Sequence, residues 1–330
     1  MAADVSIIIP TYNRLWALPK AVESCRGTDC DVEILVVDDS SDDGTWDWLQ
    51  GENDVRALRS DGWGKPWGVN KAFRKSEGRY VRFLDSDDWL YTEMIDRQVA
   101  QAEAEEVPLV VAGKDLYDED EEFIETQPWV YCDDFIAQQL GECDSSHYSA
   151  FLFRRDLVAD IPHRTVFPGA DFASRDDRCF MLEVALKKPD YSVSDGPVLC
   201  HRHHEAGRLQ FSQGMRSMGT NLQQLRIYRN ILYQLQQRGD LTMRRRRAAA
   251  ETLWPLARWI AREYIEEGNE LANWVRDLDP DFEIPETGVL GWCYRQLGFR
   301  GTEHLLRLRR HLLAPFRSLP DPAPHMFEIE

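Results

Sequence analysis

The sequence is poor in lysine, lacks paired cysteines and has no long apolar run. Seven lysines are present among 39 basic residues, and the seven cysteines are scattered with no C-x-x-C pair. This cysteine pattern argues against a disulfide framework or a structural zinc site, so we expect reduced thiols. No apolar stretch approaches the ~20 residues that span a bilayer, and the first residues do not form a leader of basic and then apolar segments. We therefore expect a cytoplasmic chain.

The charge balance excludes one large class of partner. The formal net charge is −18, whereas phosphate backbones are bound by clustered Lys and Arg. We therefore expect no nucleic-acid partner. With 43% hydrophobic residues over 330 positions, the chain can bury the core of one large α/β domain with an appendage, or of two modest domains.

Two regimes follow one another along the chain. From residue 5 to about 203, short apolar runs alternate with helical stretches, a pattern typical of βαβ units. After about residue 210, apolar residues recur every three or four positions, which indicates helices, with a kink or boundary expected at Pro255. The prediction is an α/β fold with a mainly parallel sheet flanked by helices over residues 1–210, followed by an α-helical C-terminal region over 211–330. The apolar runs are VSIIIP, VEILVVDD, VRALRS, YVRFLD and PLVVAGK.

Polar residues follow three of these apolar runs. They are Pro10–Asn13, the pair Asp38 and Asp39, and Asp85–Asp88. In sheets of this class, ligands bind beyond the carboxyl ends of the strands. The three groups are therefore predicted to converge on one rim and form a site.

The acidic group raises an electrostatic problem. Asp85, Asp87 and Asp88 crowd three carboxylates into one strand end, and like charges at that distance repel unless a positive group lies among them. A hard divalent cation prefers carboxylate ligands. We therefore expect Mg²⁺ or Mn²⁺ here, with one aspartate facing the metal and another reaching a metal-bound water or a bound ligand.

Several motifs in order carry a family resemblance. SIIIPTYNR at 6–14, VVDDSSDDGT at 36–45, GVNKAF at 68–73 and EGRYVRFLDSDDW at 77–89 resemble the nucleotide-sugar-binding half of the family 2 glycosyltransferases, which have the Rossmann-like GT-A fold. The resemblance runs to about residue 207. It implies a metal-dependent, inverting hexosyltransferase that moves a sugar from a nucleoside-diphosphate sugar to a hydroxyl acceptor on a glycan, a polysaccharide or a lipid-linked sugar.

The resemblance also assigns donor residues at the second and fourth strand ends. Asp87 is the stronger metal ligand, while Asp85 and Ser86 lie in the donor site. Asp39 accepts a hydrogen bond from the nucleobase. Asp88 is better explained as the N-cap of the next helix.

Further donor contacts come from the first strand end and the glycine-rich segment 61–73. Pro10, Thr11 and Tyr12 resemble residues that border the base. Tyr12 either packs on the base or belongs to the core. Lys65 either contacts phosphate or base, or is a solvated loop lysine. Asn70 matches an asparagine of the family and is expected to brace the loop.

The acceptor needs a base, because a hydroxyl is a poor nucleophile until its proton is removed. The segment PGADFASRDDRCFMLEVAL at 168–186 places two acids before an amphipathic helix. It resembles the acidic motif of the family, which makes Asp177 the catalytic base and Asp176 its neighbour. The alternative is two acids at a helix N-terminus, where the helix dipole favours them.

Histidines supply the last candidates near the metal. In PVLCHRHHEAGRL at 197–209, Arg202 and His204 match an Arg-x-His segment of the family, so His204 is the predicted metal ligand. His201 and His203 alternate with them and are expected to face the other way. His147 either belongs to a strand that borders the acceptor or has a structural role.

The C-terminal region lies outside the resemblance. HLLRLRRHLLAPF at 304–316 puts leucines on one face and arginines mostly elsewhere. It is either a helix in peripheral contact with an anionic membrane, at the inner face, or a packing helix with a solvated basic face.

Two other functions compete with glycosyl transfer. A sugar-phosphate nucleotidyltransferase would use a similar sheet but needs a basic, glycine-rich phosphate loop, which PTYNRLWALPK does not provide. A noncatalytic sugar-nucleotide-binding or scaffold protein is disfavoured by the intact acids at 87 and 177.

Overall fold

The structure is a computed structural model that describes residues 3–60, 62, 64–163, 175–203 and 218–313. The chain divides into two compact units. The first, the sheet unit, comprises residues 1–139 and 143–208, and the second, the helical unit, comprises residues 140–142 and 209–330.

Half of the sheet is parallel. Strands β1 (Val5–Thr11), β2 (Val32–Asp38), β3 (Val55–Arg59) and β4 (Tyr80–Phe83) pair in the order β3-β2-β1-β4, and all three pairings are parallel. Most of their Val, Ile and Leu side chains are buried, as expected for strands covered on both faces. Because the strands run in one direction, their carboxyl ends lie along one edge.

The other half of the sheet is mixed. Across the described residues the sheet has nine strands, and β8, β6, β9 and β5 continue it beyond β4, with β7 paired to β6. β4 and β6 both pair antiparallel to β8, whereas β6 and β9 are parallel. The strands are β5 (Trp89–Leu90), β6 (Leu109–Tyr117), β7 (Phe123–Gln127), β8 (Leu152–Arg154) and β9 (Tyr191–Arg202).

Helices follow the strands as the alternating pattern predicts. Helix α3 begins at Lys65, directly after Gly64, which adopts a φ of 87°; this left-handed conformation suits glycine. The helices of the sheet unit are α1 (Leu18–Glu23), α2 (Thr45–Gly51), α3 (Lys65–Lys75), α4 (Thr92–Ala104), α5 (Phe135–Leu140, which ends at the boundary), α6 (Arg155–Val158) and α7 (Asp176–Leu186).

The acidic segment at 115–128 forms a hairpin. β6 and β7 pair antiparallel around the tip. At that tip Glu121 forms ion pairs with Lys20 and Arg202. The tip is therefore fixed to the first helix and to the end of β9.

The helical unit contains α8 (Met218–Gln237), α9 (Met243–Ala261), α10 (Ile265–Leu278) and α11 (Gly288–Leu313). Of the kink or boundary expected at Pro255, the boundary is wrong, because Pro255 lies inside α9. The break falls instead at Gly298 in α11, whose φ of 70° is non-helical. No helix of the described residues is both long and apolar enough to cross a membrane.

Candidate active site

The carboxyl ends of β1, β2 and β4 are joined by backbone hydrogen bonds. The Asp39 N–H donates to the Thr11 carbonyl at 2.9 Å, and the Leu84 N–H donates to the Ile8 carbonyl at 3.0 Å. These bonds continue the sheet past its last paired residues. The structure therefore brings the three polar strand ends together on one rim.

The two aspartates after β2 have different environments. Asp38 is fully buried, and its carboxylate accepts a hydrogen bond from the Ser41 N–H at 3.1 Å. Asp39 accepts from the Gly64 N–H at 3.0 Å and from the Ser60 hydroxyl. Asp38 thus holds its own loop, as expected, and Asp39 holds the start of α3 at the rim.

The residues at the end of β1 also differ in their exposure to solvent. Thr11 is buried, whereas the Tyr12 side chain is 58% exposed. Core packing is therefore the wrong explanation of Tyr12, because more than half of its surface is open to solvent. Pro10 is the penultimate residue of β1 and is half-buried. An exposed aromatic ring at a strand end is available to stack on a flat ligand.

Lys65 supplies the positive charge for the acidic strand end. Its Nζ donates to Asp85 Oδ1 at 2.8 Å, and it lies 5.4 Å from the centroid of the Tyr148 ring. Burial alone would lower the pKa of Lys65, but the charges of Asp85, Tyr148, Asp176 and Asp177 raise that pKa well above its usual value. Lys65 is therefore a fixed cation, and the solvated-lysine alternative is wrong.

The carboxylate of Asp85 is strongly perturbed by its surroundings. Burial raises its pKa to about 6, Lys65 opposes that rise, and Asp87 and Asp88 add to it. Its second oxygen lies 3.7 Å from Nε2 of His147. Asp85 thus links the α3 lysine with the segment that precedes β8.

Asp87 and Ser86 complete the turn. The Asp87 carboxylate lies 3.6 Å from Arg14 Nη2, and its side chain is 18% exposed. Ser86 is buried. Asp87 therefore faces a cation from the β1 strand end and keeps some access to solvent.

Asp88 does not cap a helix, because α4 begins at Thr92. Instead its buried carboxylate accepts the Arg202 N–H at 2.9 Å and lies 2.9 Å from Nδ1 of His201. Asp88 thereby fixes the end of β9. His201 consequently faces the acidic strand end, contrary to the expected alternation, and the Arg202 side chain turns toward Glu121. His203 has no assigned role, and His204 lies outside the described residues.

Three residues can together hold a cation. Asp85, Asp88 and His147 each offer one ligand atom, and these atoms lie within 4.8 Å of one another. The pKa of His147 is held well below its usual value by burial and then by His201, Lys114 and Lys65, so its imidazole is neutral and able to ligate. Carboxylate oxygens with one imidazole fit Mn²⁺ or Mg²⁺.

The acidic pair at the start of α7 is braced from two sides. Asp176 is buried 3.3 Å from Nδ1 of His163, whose ring stacks on Phe180 with centroids 4.4 Å apart. The Asn70 amide bonds the backbone of His163 in both directions, at 2.5 and 2.9 Å. Asn70 therefore braces the backbone at His163, rather than the glycine-rich loop that its motif was expected to brace.

Asp176 and Asp177 have separate surroundings. Burial would raise the pKa of Asp176, but Lys65 and His163 lower it below its usual value. Asp177 is half-buried, and its carboxylate accepts the Arg178 N–H at 2.7 Å. Because the charge of Asp177 acts on Lys65, the acidic pair and the acidic strand end share one electrostatic site.

The roles of four side chains of the site were not predicted, or were left undecided, from the sequence. Arg14 directly follows the PTYN motif, so its position carried a signal. Tyr148 and His163 carry no local signal, because tertiary packing alone brings them to Lys65 and Asp176. His147 is placed against Asp85 rather than in a purely structural position.

Comparison with known proteins agrees with this geometry. The model of Glycosyl transferase family 2 matches residues 6–161. One curated relative, the UDP-Glc:alpha-D-GlcNAc-diphosphoundecaprenol beta-1,3-glucosyltransferase WfaP of Escherichia coli, is 38% identical over 107 residues. The match covers 31% of this chain and 43% of the relative, so the chain spans less than half of that protein.

Two solved structures share the fold. S. aureus TarS 1-349 in complex with UDP-GlcNAc has a TM-score of 0.51 at 17% identity, covering 94% of this chain and 92% of that fragment. The mannosyltransferase PcManGT from Pyrobaculum calidifontis, in complex with GDP-Man and Mn2+, has a TM-score of 0.50 at 15% identity, covering 96% and 89%. With the strand-end site, they confirm the GT-A fold, and residues 6–161 match glycosyl transferase family 2.

Proposed function

We propose that this protein is a metal-dependent, inverting glycosyltransferase that moves a sugar from a nucleoside-diphosphate sugar to a hydroxyl acceptor. One observation carries the proposal. Lys65 bonds Asp85 at 2.8 Å and interacts with the charges of Asp176 and Asp177. A donor bound at the strand ends would therefore have its diphosphate and its anomeric carbon between a cationic group and a free carboxylate.

The donor side needs positive charge, because the leaving nucleoside diphosphate gains negative charge as the glycosidic bond breaks. Asp85, Asp88 and His147 would hold a divalent cation, and Asp87, the metal ligand that the family motif implies, would join them from the same turn. When bound, Mn²⁺ or Mg²⁺ would polarise the phosphate oxygens and stabilise that charge. Lys65 would add a second positive charge from the start of α3.

The nucleoside would lie over the carboxyl ends of β1 and β2. Asp39 would accept a hydrogen bond from the base, and the exposed ring of Tyr12 would stack beside it. Pro10 and Thr11 would shape the floor, and Ser86 would lie under the ribose. Asp39 already bonds Gly64, so base binding and the position of α3 would be coupled.

The acceptor side needs a base that is ionised at neutral pH. Asp177 would take the proton of the acceptor hydroxyl as that oxygen attacks the anomeric carbon and the bond to the diphosphate breaks. Asp176 is held by His163 inside the protein and would position the first turn of α7. Attack from the face opposite to the leaving group inverts the anomeric centre.

The nature of the acceptor is indicated by a relative. WfaP is named for a GlcNAc-diphosphoundecaprenol acceptor, and we propose an acceptor sugar of the same class, carried on a lipid diphosphate. The donor set for a first test follows from the same comparisons: UDP-Glc, UDP-GlcNAc and GDP-Man.

The test measures nucleoside-diphosphate release from each donor, with and without Mn²⁺, together with the melting temperature. The expected result is one donor whose nucleotide raises the melting temperature only with the metal, and whose release is lost in Asp177→Asn. A noncatalytic sugar-nucleotide-binding protein would show the thermal shift without turnover in either protein. If no nucleoside diphosphate shifts melting with any divalent ion, the donor site is misassigned.

A further inference from the structure

The last helix presents apolar side chains to solvent. In the second half of α11, Leu305, Leu308 and Leu312 are 50%, 58% and 75% exposed. Spacings of three and four residues put them on one helix face. Phe299 and Thr302 of the same helix are buried. The helix therefore packs on its unit through these residues, while the three leucines lie outside the core.

The charges of α11 are also divided between its two sides. Glu303 is its only acid, and it is buried, where it accepts the Tyr294 hydroxyl and lies 3.6 Å from Arg310. Arg309, next to Leu308, is exposed. The outward side thus combines three leucines with positive charge, in a chain whose net charge is −18.

The first half of the same helix adds two further apolar side chains. Val289 is 80% exposed and Trp292 is 58% exposed. Tryptophan is enriched at the boundary between lipid and water, because its ring is apolar and its N–H is polar. Exposed apolar groups thus occur on both sides of the break at Gly298.

We propose that Leu305, Leu308 and Leu312 insert into the surface of an anionic lipid bilayer while Arg309 contacts the lipid phosphates. A leaflet offers negative charge directly above an apolar layer, and this order matches long arginine side chains beside leucines. An acidic protein surface would pair with the arginines but would not bury all three leucines. The inference rests on the proposed function in one respect: a lipid-linked acceptor lies in such a bilayer.

The experiment uses the full chain and sedimentation with vesicles. Phosphatidylcholine vesicles with and without about one-third phosphatidylglycerol are the probes. Wild type is expected to bind only the anionic vesicles, with binding that weakens as salt rises. Leu305→Gln/Leu308→Gln/Leu312→Gln is expected to weaken that binding at least tenfold, and Arg309→Gln about fivefold.

A control variant removes exposed apolar surface elsewhere in the helical unit. Tyr233→Gln/Met243→Gln, on α8 and α9, is expected to bind within about twofold of wild type, because both positions lie off the proposed surface. Sedimentation velocity without vesicles tests the alternative, in which the three leucines contact a second copy of the chain. The proposal is overturned if wild type is an oligomer and the leucine variant is a monomer. It is also overturned if wild type does not bind anionic vesicles.

Vesicle binding is separable from donor chemistry. If the donor site is misassigned, vesicle binding remains and nucleotide release is absent. If the membrane surface is misassigned, nucleotide release from the donor remains and vesicle binding is absent.

Discussion

The strand-end rim and the outer side of α11 expose opposite kinds of surface. At the rim, carboxylates meet cations from distant parts of the chain, with Lys65 on Asp85 and Arg14 near Asp87. On α11 the single acid is buried and leucines remain outside. A rim that collects negative charge suits a metal and a diphosphate, whereas an apolar and basic helix suits a bilayer. The two surfaces thus predict two ligands of different chemistry.

The largest expected effect is at Asp177. Asp177→Asn keeps the shape of the side chain but cannot accept the acceptor proton, so kcat should fall by about a thousandfold or more. Steady-state transfer assays with the identified donor measure this. Nucleotide affinity should be unchanged, because the substitution leaves the donor rim intact.

Asp190→Asn is the control, since Asp190 lies just outside α7. It should retain wild-type turnover. Unchanged kcat in Asp177→Asn would remove the base from the proposed reaction.

The next largest effect is expected on metal-dependent nucleotide binding. Asp85→Asn removes a carboxylate of the proposed cation site and the partner of Lys65, so Mn²⁺-dependent affinity for the nucleoside diphosphate should fall about a hundredfold. Isothermal titration with and without Mn²⁺ measures it. Asp195→Asn changes an exposed aspartate on β9 and should bind normally. Equal losses in both variants would mean that general charge, rather than a cation site, is responsible.

A smaller effect is expected at Lys65. Lys65→Gln removes one charge from the proposed diphosphate site, and the KM for the donor should rise about tenfold. Lys75→Gln, at the exposed end of the same helix, should leave KM unchanged. A donor KM that is insensitive to Lys65→Gln would assign this lysine to structure alone.

His163 separates positioning from binding. His163→Phe preserves stacking on Phe180 but removes the nitrogen that faces Asp176, so the start of α7 should lose its brace. We expect kcat to fall about tenfold while donor affinity stays constant. A matched fall in donor affinity, measured by titration, would contradict the separation of the two sides of the site.

The smallest effect is expected on stability, and it distinguishes an exposed leucine of the helical unit from a buried one. Leu308→Gln, on the exposed face of α11, should change the free energy of unfolding by less than about 0.5 kcal/mol. Leu253→Ala, at a buried position of α9, should cost about 2–5 kcal/mol. Urea unfolding monitored by circular dichroism measures both. A large loss in Leu308→Gln would show that this leucine is buried.

The sequence predicted the sheet unit better than the helical unit. Each βαβ step marks its strand with a buried apolar run and ends it with polar residues, so the rim could be located from Asp38, Asp39 and Asp85 alone. These features depend on residues that are neighbours in sequence, so they can be recognised without knowing the tertiary contacts.

The remaining features depend on contacts between distant residues. The expected side of His201 was wrong because Asp88, 113 positions earlier, bonds its ring and the following backbone N–H. In α11, a three-and-four spacing of leucines identified a helix but could not tell which face meets the core. That face is decided by Phe299, Thr302 and Glu303, which pack inward.

The most direct test is a crystal structure of the protein with Mn²⁺ and the nucleoside diphosphate of its donor, using anomalous scattering to place the metal. We expect one anomalous peak about 2.1 Å from carboxylate oxygens of the turn at residues 85–88, in contact with the diphosphate and on the side that faces Asp177. A nucleotide bound elsewhere, or bound at the rim with no metal peak at saturating Mn²⁺, would contradict the proposed donor site.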